Sequence, residues 1–176
     1  MIVRPATTDD VDALAVVHGR TWQMAYREEV PQEYFDRLDL AQRREGWLQR
    51  LQSEQPPAGT LVLEHQVDGV IGFINVAPSR DVDTDPGSVG EVKAVYVLPE
   101  YWGNGAGQIL MEAGLRRLQE AGYSDVVLWV LESNRRARRF YEAGGWRNDG
   151  TSKIDESRGF PLVVVRYRYH TAALGT

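Results

Sequence analysis

Tyr101-Trp-Gly-Asn-Gly-Ala-Gly107 sets three glycines in five positions, shortly after the apolar run Glu91-Val-Lys-Ala-Val-Tyr-Val97. Glycines this dense mark backbone that takes left-handed angles or approaches something a side chain would obstruct. Downstream, Leu110, Met111, Gly114, Leu115 and Leu118 recur at helical spacing. Strand, glycine turn and helix together aim open N–H groups and a helix dipole at an anion. Two phosphate motifs fail on spacing. A P-loop needs Lys-Ser/Thr where Gln108-Ile109 stands. A dinucleotide fingerprint needs a third glycine where Gln108 or Leu110 stands. Taken alone, the turn is equally readable as structural.

Working outward, Ile2-Val3-Arg4 reads as a strand and Thr7-Thr8-Asp9-Asp10 as a helix cap. Val11, Leu14, Ala15, His18 and Trp22 follow at helical spacing. Pro31 opens a second helical region with Tyr34, Phe35 and Leu38, running through Trp47 and Leu51 to Pro56-Pro57. Asp68-Gly69 between two apolar runs signals a hairpin. Residues 78–89 are polar and turn-rich, and are read as a mobile loop. Val126 to Leu131 is a buried strand, Ser133-Asn134 caps a further helix closed by Gly144-Gly145, and two strands end the chain. The order β-α-α-β-β-β-α-β-α-β-β predicts an α/β fold: one mixed sheet with helices on both faces.

At 176 residues, with 43% apolar and 26% charged residues, the chain fits one domain over 1–176. The absence of cysteine excludes disulfides, thiolate metal sites and cysteine nucleophiles. His18, His65 and His170 lie far apart, so no metal site is expected. No run is long enough for a membrane span and the start lacks a signal-peptide core, so a cytoplasmic location is the expectation. A net charge of −5 without a basic stripe argues against nucleic acid and is compatible with a cationic substrate.

A second element follows about 30 residues after the turn: Asn134-Arg-Arg-Ala137-Arg-Arg-Phe140-Tyr141-Glu-Ala-Gly-Gly145-Trp146. The pair resembles the cofactor core of the GNAT family, the Gcn5-related N-acetyltransferases, over residues 90–147. The turn is similar to the family's Arg/Gln-x-x-Gly-x-Gly/Ala, with Trp102 in the first position. The helix is similar to Asn-x-x-Ala-x-x-Phe-Tyr-x-x-x-Gly-Phe, with Trp146 in the last. The resemblance implies the GNAT fold, a mostly antiparallel sheet of about seven strands. It also implies acetyl-CoA as cosubstrate, without a metal.

Carried over by residue, the resemblance implies that Val95, Tyr96 and Val97 pair with the pantetheine arm. Gly103, Asn104, Gly105, Ala106, Gly107 and Gln108 would hold the pyrophosphate. Tyr141 matches the family's general acid for the departing thiolate, and a phenol near 10 suits that task. Its plain alternative is a packing aromatic beside Phe140. Asn134 matches a position that orients the pantetheine or acetyl end, or is simply a cap. Glu91 matches a catalytic glutamate of some members; otherwise it is a solvated strand-end carboxylate. Regular alternation puts Glu91, Lys93, Val95 and Val97 on one face, which a bulge would break. Trp102 departs from the pattern and is read as an aromatic packed over the loop, with Arg138 or Arg139 as candidate replacements for the missing polar side chain.

The expected reaction is direct transfer to a free amine, with the Val97 amide as oxyanion donor. The resemblance places the acceptor near the first two helices, about 7–55, where Trp22, Tyr26, Tyr34 and Phe35 accompany Glu28, Glu29, Glu33 and Asp36. Aromatics beside acids suit a cationic small-molecule amine; they also suit a core with a solvated face. A protein N-terminus or lysine, or an acyl-CoA-binding regulatory module, are the other readings. Relatives form homodimers, often through terminal strands, which makes Val163 to Tyr169 a candidate surface.

Overall fold

A computed structural model describes residues 1–26, 30, 32–33 and 39–174. Seven strands form one sheet: β1 (Ile2–Pro5), β2 (Gly59–His65), β3 (Gly69–Pro78), β4 (Val89–Val97), β5 (Asp125–Leu131), β6 (Arg147–Asp155) and β7 (Leu162–His170). Their order is β1-β2-β3-β4-β5-β7-β6. Four described helices are α1 (Val11–Ala25), α2 (Leu40–Ser53), α3 (Ala106–Glu120) and α4 (Arg135–Ala143). β4 and β5 are parallel, whereas β1–β2, β2–β3, β5–β7 and β6–β7 are antiparallel. This is the mixed α/β fold expected from the element order. Tyr34, Phe35, Glu28, Glu29, Asp36 and the helix start at Pro31 lie outside the described residues.

The chain divides into two compact units, Met1–Val76 with Ala94–Gly114 and Ala77–Lys93 with Leu115–Thr176. In the first, Leu14, Ala15 and Val17 of α1 and Trp47 of α2 bury against Val62 and Phe73 of the sheet. Alternation turns the neighbouring residues of β3 the other way, toward α3. There Gly114 lets the helix approach: a Cβ on it would stand 2.5 Å from Ile74 Cδ1. Fully burying a side chain such as Phe73 stabilises the unit by about 1.5–3 kcal/mol.

In the second unit, Val126, Val127 and Leu128 of β5 are buried, as the apolar run predicts. Both edges of β7 are already paired, by β5 and β6. The terminal strand expected as a dimer surface therefore offers no free edge, and the outer strand is β6. The stretch read as a mobile loop is tied down. Ser79 N–H donates to Val89 C=O at 2.9 Å, and Asp81 and Asp83 both accept from Arg166 of β7.

β4 is not one uninterrupted two-residue repeat. Gly90 faces Leu118 of α3, and Val97 packs beside Leu110 of the same helix seven residues later. Regular alternation would turn two residues at an odd separation to opposite faces. Glu91, Lys93, Val95 and Val97 therefore do not line a single face.

Candidate active site

The parallel ladder to β5 takes only Val89 to Val92 of β4's nine residues. Val95, Tyr96 and Val97 lie past its end. Tyr96 stacks on His18 of α1 at 5.3 Å between ring centroids, with Phe73 edge-on at 5.5 Å. The Val97 carbonyl accepts two side-chain hydrogen bonds, from Trp102 Nε1 at 2.7 Å and from the buried Thr21 hydroxyl at 3.2 Å. The next amide, Leu98 N–H, donates to Ile71 C=O at 2.8 Å.

A short turn, Pro99–Tyr101, leads into the glycines. It is anchored by side chains: Arg20 pairs with Glu100, and the Tyr101 hydroxyl donates to Asp68 of the β2–β3 hairpin. Gly103 and Gly105 then take φ of +79° and +80°, the left-handed region that only glycine enters without strain. Open space surrounds the position of an added Cβ at either residue. The glycines are thus required by backbone angle rather than by a neighbouring wall. α3 begins at Ala106, and Ile109 N–H donates to Gly105 C=O at 3.0 Å. The N–H groups of Ala106, Gly107 and Gln108 consequently have no acceptor one helical turn back. That leaves a row of amides at the positive end of a 15-residue helix, a fit for a diphosphate.

In the second unit, Asn134 caps α4 with its side-chain oxygen, which accepts from Ala137 N–H at 3.0 Å. The cap uses the carboxamide oxygen and not its nitrogen. At the other end, Trp146 N–H donates to Tyr141 C=O and Gly145 N–H to Glu142 C=O, both at 3.1 Å, with Gly145 at φ +88°. This pair of bonds is a Schellman cap. The half-buried Tyr141 ring leans on buried Trp146 at 6.1 Å and on Tyr167 at 6.2 Å. The spacing Tyr-x-x-x-Gly-Trp is thus the spacing of a cap that fixes the tyrosine's backbone. Arg138 is committed elsewhere: its Nε donates to the Tyr167 hydroxyl at 3.1 Å and its Nη1 to Glu132 C=O at 2.9 Å. It is not the replacement for a polar residue at 102.

Glu91 is half-buried on β4. Burial pushes its carboxyl above the ordinary value, and the nearby Asp81 adds to this; Lys93, the Arg80 amide and Lys153 pull the other way. A carboxylate so placed is a better proton acceptor than a solvated one.

Comparison with known proteins fits this geometry. Residues 20–146 match the model of the acetyltransferase (GNAT) family. The chain belongs to the GNAT family. It is 31% identical over 132 residues to YuaI of Bacillus subtilis, an uncharacterized N-acetyltransferase, covering 75% of this chain and 72% of that one. It is 39% identical over 117 residues to a mycothiol acetyltransferase of Frankia casuarinae; the match takes in 61% of this chain but only 31% of that relative. The fold matches an N-acetyltransferase of Thermoplasma acidophilum solved with coenzyme A, at a TM-score of 0.68 and 20% identity, over 96% of this chain and 98% of the other. This GNAT chain is an acetyl-CoA-dependent acyltransferase acting on an amine.

Two contributors gave no warning in the sequence. His18 reads as an ordinary position of an amphipathic helix and Thr21 belongs to no motif, and only the fold brings them to β4. Among the described residues no cluster of three or more His, Asp or Glu could hold a metal ion, and no helix is long and apolar enough to cross a membrane.

Proposed function

We propose that the protein moves the acetyl group of acetyl-CoA directly onto the primary amine of a small molecule. The observation that carries this reading is the pair of left-handed glycines in front of the open amides of α3. In this assignment Gly103 to Gln108 take the pyrophosphate, Val95 and Tyr96 pair with the pantetheine arm, and Asn134 contacts it with its amide nitrogen; Val97, whose carbonyl is taken by Trp102 and Thr21, offers its N–H alone. Acetyl-CoA supplies an activated carbonyl. Glu91 takes a proton from the amine, Val97 N–H holds the oxyanion, and Tyr141 gives a proton to the leaving sulfur. No covalent intermediate is needed, in keeping with a chain that has no cysteine.

The small-amine reading draws on α1, where Trp22 stacks on Tyr26 at 4.4 Å, and on the mycothiol acetyltransferase similarity. The test is thiol release from acetyl-CoA across polyamines, amino-acid derivatives and aminated metabolites, alongside peptides with a free N-terminus or lysine. Turnover concentrated on small amines supports the proposal. Turnover confined to peptides overturns the acceptor class, and coenzyme A binding without any turnover points to a regulatory module.

A further inference from the structure

We propose that Trp102 is a positioning residue for the transfer step, acting with Thr21 through the carbonyl oxygen of Val97. The inference rests on the reading of Val97 N–H as oxyanion donor and adds what holds that donor in place. The peptide joining Val97 to Leu98 carries three hydrogen bonds from three directions. Its oxygen accepts from the Trp102 indole at 2.7 Å and the Thr21 hydroxyl at 3.2 Å, and its N–H donates to Ile71 C=O at 2.8 Å. A carbonyl oxygen has two lone pairs, and both are used. The Val97 side chain is itself buried beside Leu110 and Gly72.

With the carbonyl arm of Val97 held by these bonds and its side chain buried, tetrahedral geometry at the α-carbon also fixes where its nitrogen sits before any acetyl group arrives. A preset donor stabilises developing charge without a reorganisation cost. Tryptophan suits this task. Its ring is rigid and carries one N–H donor and no acceptor. The Trp102 backbone is placed by its own bond to Pro99 C=O at 3.1 Å. Thr21 comes from α1, so the acceptor-side helix and the residue just before the cradle hold the same atom.

The test uses Trp102→Phe, which keeps a ring and removes the donor, with Thr21→Val and Thr21→Ser. For each, kcat and KM are measured with the amine that the wild type turns over fastest, beside coenzyme A affinity and Tm. The Val97 amide resonance is followed on adding acetyl-CoA, a readout that needs no acceptor. The expected result is a kcat loss of about tenfold in Trp102→Phe and in Thr21→Val, coenzyme A affinity within about twofold, and recovery in Thr21→Ser. The Val97 amide shift should shrink in the two damaging variants. Lowered Tm with wild-type kcat and an unchanged amide shift would mean that Trp102 merely packs, and overturns the inference alone. Should Trp102→Phe fail to fold, the Thr21 pair decides in the same way. Absence of coenzyme A binding to the wild type overturns the cofactor assignment and this inference with it.

Discussion

Tyr141 is held by backbone bonds that its own side chain does not make. Its carbonyl closes the cap with Trp146, and its ring rests between Trp146 and Tyr167. Removing only the hydroxyl should therefore leave the helix end intact. For Tyr141→Phe we expect kcat to fall about a hundredfold or more, with coenzyme A affinity within about twofold. Steady-state kinetics beside calorimetric titration checks this, and loss of both together would count against the acid role. Glu91 makes a second prediction. Because burial raises its carboxyl, the acid limb of the rate profile should lie above the ordinary value of 4.5 and vanish in Glu91→Gln. The stability effect has a definite sign. A folded-state value above the unfolded one means that the native state binds the extra proton, so stability falls as pH rises through that interval. Glu91→Gln should accordingly gain stability at neutral pH, and the gain should disappear below pH 4.5. Denaturant melts at pH 4 and pH 7 measure it.

At the scale of elements, the legible features were those whose physics is local. The helix stop after Glu120 follows from Gly122 at φ +93°, and the turn glycines from their φ of about +80°. The Asn134 cap and the buried run of β5 are equally local. What could not be read depends on partners distant in sequence. Thr21 and Val97 are 76 residues apart, and Asp83 and Arg166 are 83 apart. The second pair turned an expected mobile loop into a pinned one. Arg166, only 3% exposed, holds Asp81, Asp83 and Asp149 at 2.7–3.1 Å. Truncating it to Met would strand the largely buried Asp81 and Asp149 carboxylates, at a cost of about 3–5 kcal/mol, while Asp83 stays solvated. The Arg166 hydrogen bonds also hold the Asp83 carboxyl down to about 2. Its contribution is complete above 3.8 and lost as pH falls through about 2. Thermal melts of Arg166→Met should show a lower Tm at pH 7 and a flatter decline between pH 4 and pH 2 than the wild type.

For the whole molecule, the glycine cradle lies in one compact unit and the capped tyrosine in the other. Membership of the GNAT family assigns acetyl-CoA as the acyl donor. The central mechanistic claim is that the acetyl group passes directly to the amine, without an acetyl-enzyme, within a complex holding both substrates. A covalent route would require a nucleophile, and the most reactive candidate, cysteine, does not occur in the chain. The most direct measurement is the initial-velocity pattern with acetyl-CoA and the preferred amine varied together. Direct transfer predicts double-reciprocal lines that intersect. Parallel lines, with acetyl-labelled protein trapped when the amine is withheld, would contradict it.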